Sequence, residues 1–356
     1  MPASKTTSGV RMLSCMPLTV MTVVAAADIA TGPGVGFLPL VSLGPAFSGL
    51  VGGWRRTAVT GMVALLLCVA LGTYDGLFEE RRGFTAMAAV AGVTGVGIAA
   101  AVMRSRREAE LAGVRSIAEV AQRVLLRPVP PEAGPLRAAV SYTSAHAEAR
   151  IGGDLYAVVD SPYGVRVIVG DVQGKGLAAV EAAAVVLGAF RAAAHDEADL
   201  AGVGERLERS AARELDGERF VTAILAEIGT AQGVVFLNYG HPAPLLVRRD
   251  GSVDEPQPPV HALPLGLGAH GGDRPKPYRA DFAGGEQLLL YTDGVTETRD
   301  AGGSFYPLGE RVRLLSDPDP RRALDALRAD LVRYAAGPPQ DDAAMVLLRY
   351  ADTAGA

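Results

Sequence analysis

Cysteine, histidine and tryptophan are scarce in this chain of 356 residues, which carries two, five and one of them respectively. Both cysteines, Cys15 and Cys68, sit in apolar stretches and read as small packing residues, so neither a disulfide framework nor a thiolate metal site is expected. The histidines show no metal-ligand spacing. Basic residues form no dense stripe and the formal net charge is -5, which leaves nucleic acid out of the expected partners. Several catalytic signatures are also missing. No Gly-x-Ser-x-Gly elbow occurs, which argues against a serine-triad hydrolase. The segment Gly170-Asp171-Val172-Gln173-Gly174-Lys175-Gly176 has glycines and a lysine, but only three residues separate Gly170 from Gly174 and Gly176 follows Lys175. It is therefore neither a Walker A loop nor a dinucleotide fingerprint. No internal repeat or low-complexity tail is present.

Charge is nearly absent from four stretches of the first hundred residues: Met12 to Ala27, Thr31 to Gly53, Thr57 to Tyr74 and Gly83 to Met103. Most approach the ~20 apolar residues that cross a bilayer. The first is short and follows Lys5 and Arg11, so a cleaved signal peptide is the alternative reading for it; three further stretches favour an all-α transmembrane bundle of about four helices over residues 1–103. Lys5 and Arg11, Arg55 and Arg56, and Arg104, Arg106 and Arg107 all fall on one side of such a bundle. The positive-inside rule then puts both termini in the cytoplasm, a multi-pass arrangement in the cell membrane, although Arg81 and Arg82 lie on the other side.

Residues 104–131 read as a linker. Leu111, Val114, Ala118, Ala121 and Leu125 form one apolar seam at alternating three- and four-residue spacing, and Pro128, Pro130 and Pro131 end the helix. The seam has two readings: a helix packed on its own domain, or a parallel stem through 104–127 that makes a homodimer. From residue 132 to 356 the pattern changes to strands in hairpin-like pairs with a few long helices, an α+β sandwich. Strands are expected at 137–142, 154–160, 165–170, 220–228, 233–239, 244–249, 286–292 and 344–350, and helices at 176–194, 200–214, 308–315 and 320–336.

What this domain does contain is aspartate at strand ends. Asp154 follows Gly152-Gly153, Asp171 ends the apolar run before Val172, Asp293 ends the run Leu288 to Thr292, and Asp341-Asp342 precede Met345 to Leu348. Glycine beside Asp154, Asp171 and Asp293 lets backbone and ligand come close, Asp341 and Asp342 stand beside one another, and a carboxylate at the edge of an apolar strand needs a partner or a cation. Each alone is equally a plain turn. Together, with no cysteine or spaced histidine, they ask for hard oxygen-liganded cations, Mg²⁺ or Mn²⁺. Arg150 and Lys175 are candidates to meet a phosphate, with solvated surface charge as the alternative.

The order Gly152-Gly153-Asp154-x-Tyr156, Gly170 to Gly176, Phe220-Val221-Thr222-Ala223, Asn238-x-Gly240-His241-Pro242-x-Pro244-Leu245-Leu246, Leu263 to Leu267, Leu289 to Glu297 and Asp341-Asp342-x-Ala344 resembles the SpoIIE/RsbU branch of the metal-dependent PPM (PP2C-like) protein phosphatases. That resemblance implies an αββα sandwich and serine/threonine phosphatase activity with two Mn²⁺ or Mg²⁺ ions. It implies that Asp171 bridges the ions with help from the Val172 carbonyl, that Asp154 serves one ion, and that Asp293 and the Asp341 site serve the other. Asp341 aligns with the family's ligand position, and Asp342 beside it is the competing candidate. The implied substrate is a phosphorylated protein of the anti-anti-sigma type. Ala157 stands where an acid often follows the tyrosine, and Tyr239 where a small residue is usual. Neither change removes an expected ligand. His241 reads as shaping its turn, with a catalytic-acid role as the alternative. A membrane-anchored phosphatase is thus expected, and a catalytically weak phosphatase-fold docking module is the competing reading.

Overall fold

A computed structural model describes residues 5–31, 37–78, 81–143, 152–215, 217, 219–229, 233–337 and 341–351. The chain divides into two compact units, Met1–Gly113 and Val114–Ala356.

The first unit is helical. Helix α1 spans Lys5–Thr31, a 3₁₀ turn covers Leu38–Ser42, α2 spans Leu43–Val51, α3 Trp54–Tyr74, and α4 begins at Arg82 and runs to Leu125. The expected second span is not one helix. Pro39 and Pro45 each remove an N–H donor near the start of a short helical segment, and α2 is only nine residues long. At 1.5 Å per residue it reaches less than half of a ~30 Å hydrocarbon core. Helix α3 and the Arg82–Glu110 part of α4 are long and apolar enough to cross a membrane, while Cys15–Thr31 is a shorter apolar helix. Gly61 of α3 is packed against Thr94 of α4 so closely that a Cβ there would lie 2.1 Å from the threonine methyl. Arg104 donates to the carbonyls of Gly49, Leu50 and Gly52, filling the acceptors left open where α2 ends. The expected linker is not separated from the last span: α4 is a continuous helix of 44 residues.

The second unit is an αββα sandwich. After α4 come β1 (Glu132–Ala133), β2 (Leu136–Thr143), β3 (Leu155–Ser161), β4 (Gly164–Val172), α5 (Leu177–Asp196), α6 (Leu200–Glu214), β5 (Val221–Ile228), β6 (Val234–Tyr239), β7 (Leu245–Val247), β8 (Val253–Asp254), β9 (Tyr278–Ala280), β10 (Gln287–Tyr291), α7 (Asp293–Thr296), α8 (Leu308–Arg311), α9 (Pro320–Tyr334) and β11 (Ala343–Tyr350). One sheet has the order β1-β2-β11-β10-β7-β8 and the other β3-β4-β5-β6-β9, with every pairing antiparallel. The expected helix 308–315 divides into α8 and a 3₁₀ segment, Val312–Ser316.

Period-two alternation builds the layers. Val165, Val167 and Val169 of β4 meet Leu288, Leu290, Val346 and Leu348 of the other sheet, while Ile168 and Val172 point the other way onto Val186, Leu187 and Phe190 of α5. Helix α5 has the length and apolarity of a membrane span. Its burial in the helix layer of the sandwich accounts for that composition. On the opposite outer face Leu324, Leu327 and Leu331 of α9 cover Leu289, Met345 and Leu347. Arg166 is fully buried beneath the helix layer, where it pairs with Glu227 at 2.6 Å and donates to the carbonyls of Ala194 and Glu197, closing the end of α5. Of the expected seam on α4, Ala121 and Leu125 pack against Val180 of α5, as the own-domain reading requires. The side chains of Leu111, Val114 and Ala118 lie outside the described residues.

Candidate metal centre

Antiparallel pairing brings the aspartates to one end of each sheet. Leu155 faces Gly170 across β3 and β4, so Asp154, just ahead of β3, and Asp171, next to last in β4, come out together. Tyr291 faces Met345 across β10 and β11, so Asp293 at the start of α7 and Asp341-Asp342 ahead of β11 do the same. One residue ties the two ends. The buried Thr292 hydroxyl donates to Asp154 Oδ2 at 2.8 Å and accepts from the Ala344 N–H at 2.9 Å.

Glycine is required at this junction for a steric reason. A Cβ on Gly153 would lie 2.5 Å from the Val172 carbonyl oxygen and 2.8 Å from Asp171 Oδ1, and one on Gly152 would overlap Asp342 Oδ2 at 1.1 Å. The Gly152-Gly153 pair thus lets the chain leading into Asp154 pass against both other acids. A Cβ on Gly294 would lie 1.8 Å from the Asp342 carbonyl oxygen, which explains the glycine after Asp293.

The electrostatics are those of crowded like charges. Burial, and then the neighbouring Asp171, hold the Asp154 carboxyl well above the ordinary range. Asp171 is pushed up to about 7 by burial, followed by Asp293 and Asp341. Asp293 is raised by burial and then by Glu297 and Asp341. Such a set, all oxygen and all disfavoured as anions, is relieved by a hard divalent cation, so the donor chemistry fits Mn²⁺ or Mg²⁺. The arrangement is not a closed cage: among the described residues no three His, Cys, Asp or Glu side chains stand together tightly enough to hold one ion. Asp341 is turned to Lys175, with Nζ 2.7 Å from Oδ1, so the structure gives Lys175 a carboxylate partner. Arg150 lies outside the described residues.

Asp341 is exposed and Asp342 buried, the latter lying against Gly152 close to Tyr142. The Tyr142 hydroxyl accepts from Gln122 Nε2 of α4 at 2.9 Å, and the same amide nitrogen donates to the Gly152 carbonyl at 3.3 Å. Burial, then Asp342 and Asp154, push the Tyr142 phenol up, which keeps it neutral. His241 is buried and held near pKa 4 by desolvation. Its Nε2 lies 3.0 Å from the Tyr291 carbonyl and its Nδ1 3.1 Å from the Thr222 hydroxyl. The neutral tautomer that donates from Nε2 and accepts at Nδ1 satisfies both, and Asn238 closes the turn through two hydrogen bonds to the His241 backbone. That geometry makes His241 a tie between β5 and the strand leading to Asp293. Thr292 and Tyr142 each end an expected strand, with nothing to mark either as a partner of the acids. Gln122 carried no sequence signal at all.

The family model for stage II sporulation protein E (SpoIIE) matches residues 161–351. Among solved structures, the SiaA PP2C domain of Pseudomonas aeruginosa is similar over 70% of this chain and 99% of its own, with 19% identity and a TM-score of 0.54. The RsbU and RsbW domains of a Mycobacterium tuberculosis protein match 61% of this chain at 24% identity and a TM-score of 0.51, and the chain covers 60% of that structure's length. The PP2C phosphatase domain of the cell-fate determinant SpoIIE from Bacillus subtilis, with a fragment of its regulatory domain, matches 61% of this chain and 64% of its own at 18% identity and a TM-score of 0.51. At these identities the structural likeness shows a PP2C-like fold, and the family match covers more than half of the sequence. This chain belongs to the SpoIIE family.

Proposed function

We propose that the chain is a membrane-anchored, metal-dependent protein serine/threonine phosphatase. The observation that carries this reading is the convergence of Asp154, Asp171 and Asp293 with the Asp341-Asp342 pair at one end of the sandwich, with Asp154 and Asp171 both raised by burial and by one another's neighbours. In this proposal Asp171, with help from the Val172 carbonyl, would serve both of two Mn²⁺ or Mg²⁺ ions, Asp154 would hold one, and Asp293 and Asp341 would hold the other. Asp342 sits behind Gly152 and buttresses the loop. Bound there, the ions would polarise a phosphoryl oxygen and lower the pKa of a water, the chemistry of phosphoester hydrolysis without a covalent enzyme intermediate. The chain's own contribution is to fix the ligands: Thr292 holds Asp154, His241 holds the strand end before Asp293, and Lys175 holds Asp341 until a cation competes for it.

The substrate in this proposal is a phosphoserine or phosphothreonine on a regulatory protein of the anti-anti-sigma type in a partner-switching pathway, and the RsbU and RsbW domains in the M. tuberculosis match support that class. The two long apolar helices of the first unit support anchoring in the cell membrane, with the phosphatase domain on the cytoplasmic side. Residues 104–127 are the proposed homodimer stem, with Ala121 and Leu125 committed to α5 rather than to a second chain. The Lys175–Asp341 ion pair is the observation that favours the alternative, a weakly catalytic docking module, because it occupies a proposed ligand. Calorimetric titration of Mn²⁺ into the EDTA-stripped full chain in mild detergent separates the two. The phosphatase reading expects two ions per chain and loss of saturable binding in Asp171→Asn. Absence of Mn²⁺ binding by the intact chain would leave the docking module.

A further inference from the structure

At the end of the six-stranded sheet remote from the acids, Val247, Gln287, Arg349 and Arg137 face one another in a single row across β7, β10, β11 and β2. Arg349 and Arg137 are directly opposite, an arrangement in which like charges repel. Asp319 approaches Arg137 only to 3.9 Å. Beside this row opens a cavity of about 390 Å³, within the size range of small-ligand sites. Its described lining includes four arginines, Arg248, Arg249, Arg313 and Arg349, and no carboxylate. Asp254 and Glu286 both reach Arg248, at 2.6 and 3.1 Å. The concentration of guanidinium stands out in a chain of net charge -5.

Gln287 also lines this cavity and is 4% exposed. Its amide nitrogen donates to the Leu315 carbonyl, whereas its Oε1 has no hydrogen-bond partner. A buried amide oxygen without a donor destabilises the fold until something supplies one. The cavity therefore sets a cluster of guanidinium groups, of which Arg248 already holds Asp254 and Glu286 and Arg249 donates to the Gly284 carbonyl, beside one acceptor in need of a proton.

We propose that this cavity is a binding site for a small phosphate-bearing anion, separate from the acid cluster. Guanidinium groups take the unprotonated oxygens of the anion in charge-assisted hydrogen bonds. Gln287 Oε1 accepts from a protonated phosphate oxygen. Sulfate has the same shape but carries no proton at neutral pH, so the acceptor makes the site selective for phosphate. A soluble phosphate compound and a phospholipid headgroup share the unprotonated oxygens that the guanidinium groups take, whereas a headgroup diester has no phosphate proton and meets Gln287 Oε1 only through a hydroxyl of its alcohol.

The test is a titration of the full chain in neutral detergent, with EDTA present so that no metal holds phosphate at the acids. Inorganic phosphate is compared with sulfate, and the soluble headgroup glycerophosphoglycerol with glycerophosphocholine, by calorimetry. Saturable phosphate binding, about tenfold weaker in Arg313→Gln, supports a soluble ligand, since one charge-assisted hydrogen bond is lost. Saturable binding of glycerophosphoglycerol but not of glycerophosphocholine, weakened in the same variant, supports a headgroup. Arg313 is exposed on the 3₁₀ segment after α8, so its replacement spares the core, and Arg249→Gln is a second exposed variant with the same expected effect. Preference for phosphate over sulfate should vanish in Gln287→Met. Binding to neither probe, or binding unchanged in both arginine variants, overturns the proposal, and equal affinity for phosphate and sulfate overturns the role given to Gln287.

Discussion

Replacing Asp171 by asparagine should stabilise the metal-free protein at alkaline pH while removing its function. In the folded chain this carboxyl is pushed from 3.8 to about 7 by burial and by its acidic neighbours. Because the folded value lies above the unfolded one, the native state binds more protons between them, and stability falls as pH rises from about 4 to about 7. The full shift corresponds to roughly 4 kcal/mol, and sharing it with the neighbouring Asp154 carboxyl leaves about 2 kcal/mol that Asp171→Asn relieves at pH 8. Hydrogen exchange of the full chain in detergent with EDTA reads this directly: amides of β3 and β4 should be about 30-fold better protected in the variant at pH 8. The advantage should largely disappear near pH 4, where the wild-type carboxyl is protonated in the fold and only about half ionised in the unfolded chain. Saturating Mn²⁺ should reverse the order, because only the wild type gains binding energy. Weaker protection of the metal-free variant at pH 8, or the same gain at pH 4 and pH 8, would refute the reasoning.

Other substitutions probe the supports of the site. Thr292→Val removes the hydroxyl that serves Asp154 and the Ala344 N–H, and should cost about 2 kcal/mol of stability, read as faster exchange of β10 and β11 amides, together with a large fall in turnover. His241 is held near pKa 4 in the fold against 6.5 in the unfolded chain. The unfolded state therefore binds the extra proton, and up to about 3 kcal/mol of stability is lost as pH falls from about 6.5 to 4. His241→Asn should flatten that loss in a comparison of exchange at pH 7 and pH 5. Gln122→Leu deletes the hydrogen bonds to Tyr142 and to the Gly152 carbonyl, and should raise the Mn²⁺ concentration for half-maximal activity severalfold with a smaller effect on the saturated rate. An unchanged Mn²⁺ dependence would show that α4 does not help to position the loop.

The second unit was legible because its acids stand at strand ends. Apolar runs broken by Asp and Gly placed Asp154, Asp171, Asp293 and the Asp341-Asp342 pair at sheet edges, and antiparallel pairing then had few ways to arrange them. The hydrophobic count over Thr31 to Gly53 misled, because it sums apolarity without weighing Pro39 and Pro45, which divide the segment into a turn and a short helix. The boundary between last span and linker was invisible in the backbone, since α4 changes from apolar to charged without a break. The polar supports escaped for a different reason. Gln122, Tyr142 and Thr292 matter through partners that are distant in sequence, and Gln122 lies 30 residues from the glycine whose carbonyl it meets. The Lys175–Asp341 pair, 166 residues apart, is of the same kind.

Mn²⁺-dependent hydrolysis of a phosphoserine protein by the full chain in mild detergent, measured beside Asp171→Asn and Asp293→Asn, tests the central claim most directly. Turnover that requires Mn²⁺, stops with EDTA and falls at least about a thousandfold in both variants is the expected result. Turnover that survives EDTA or either substitution would contradict a two-metal centre built on these aspartates.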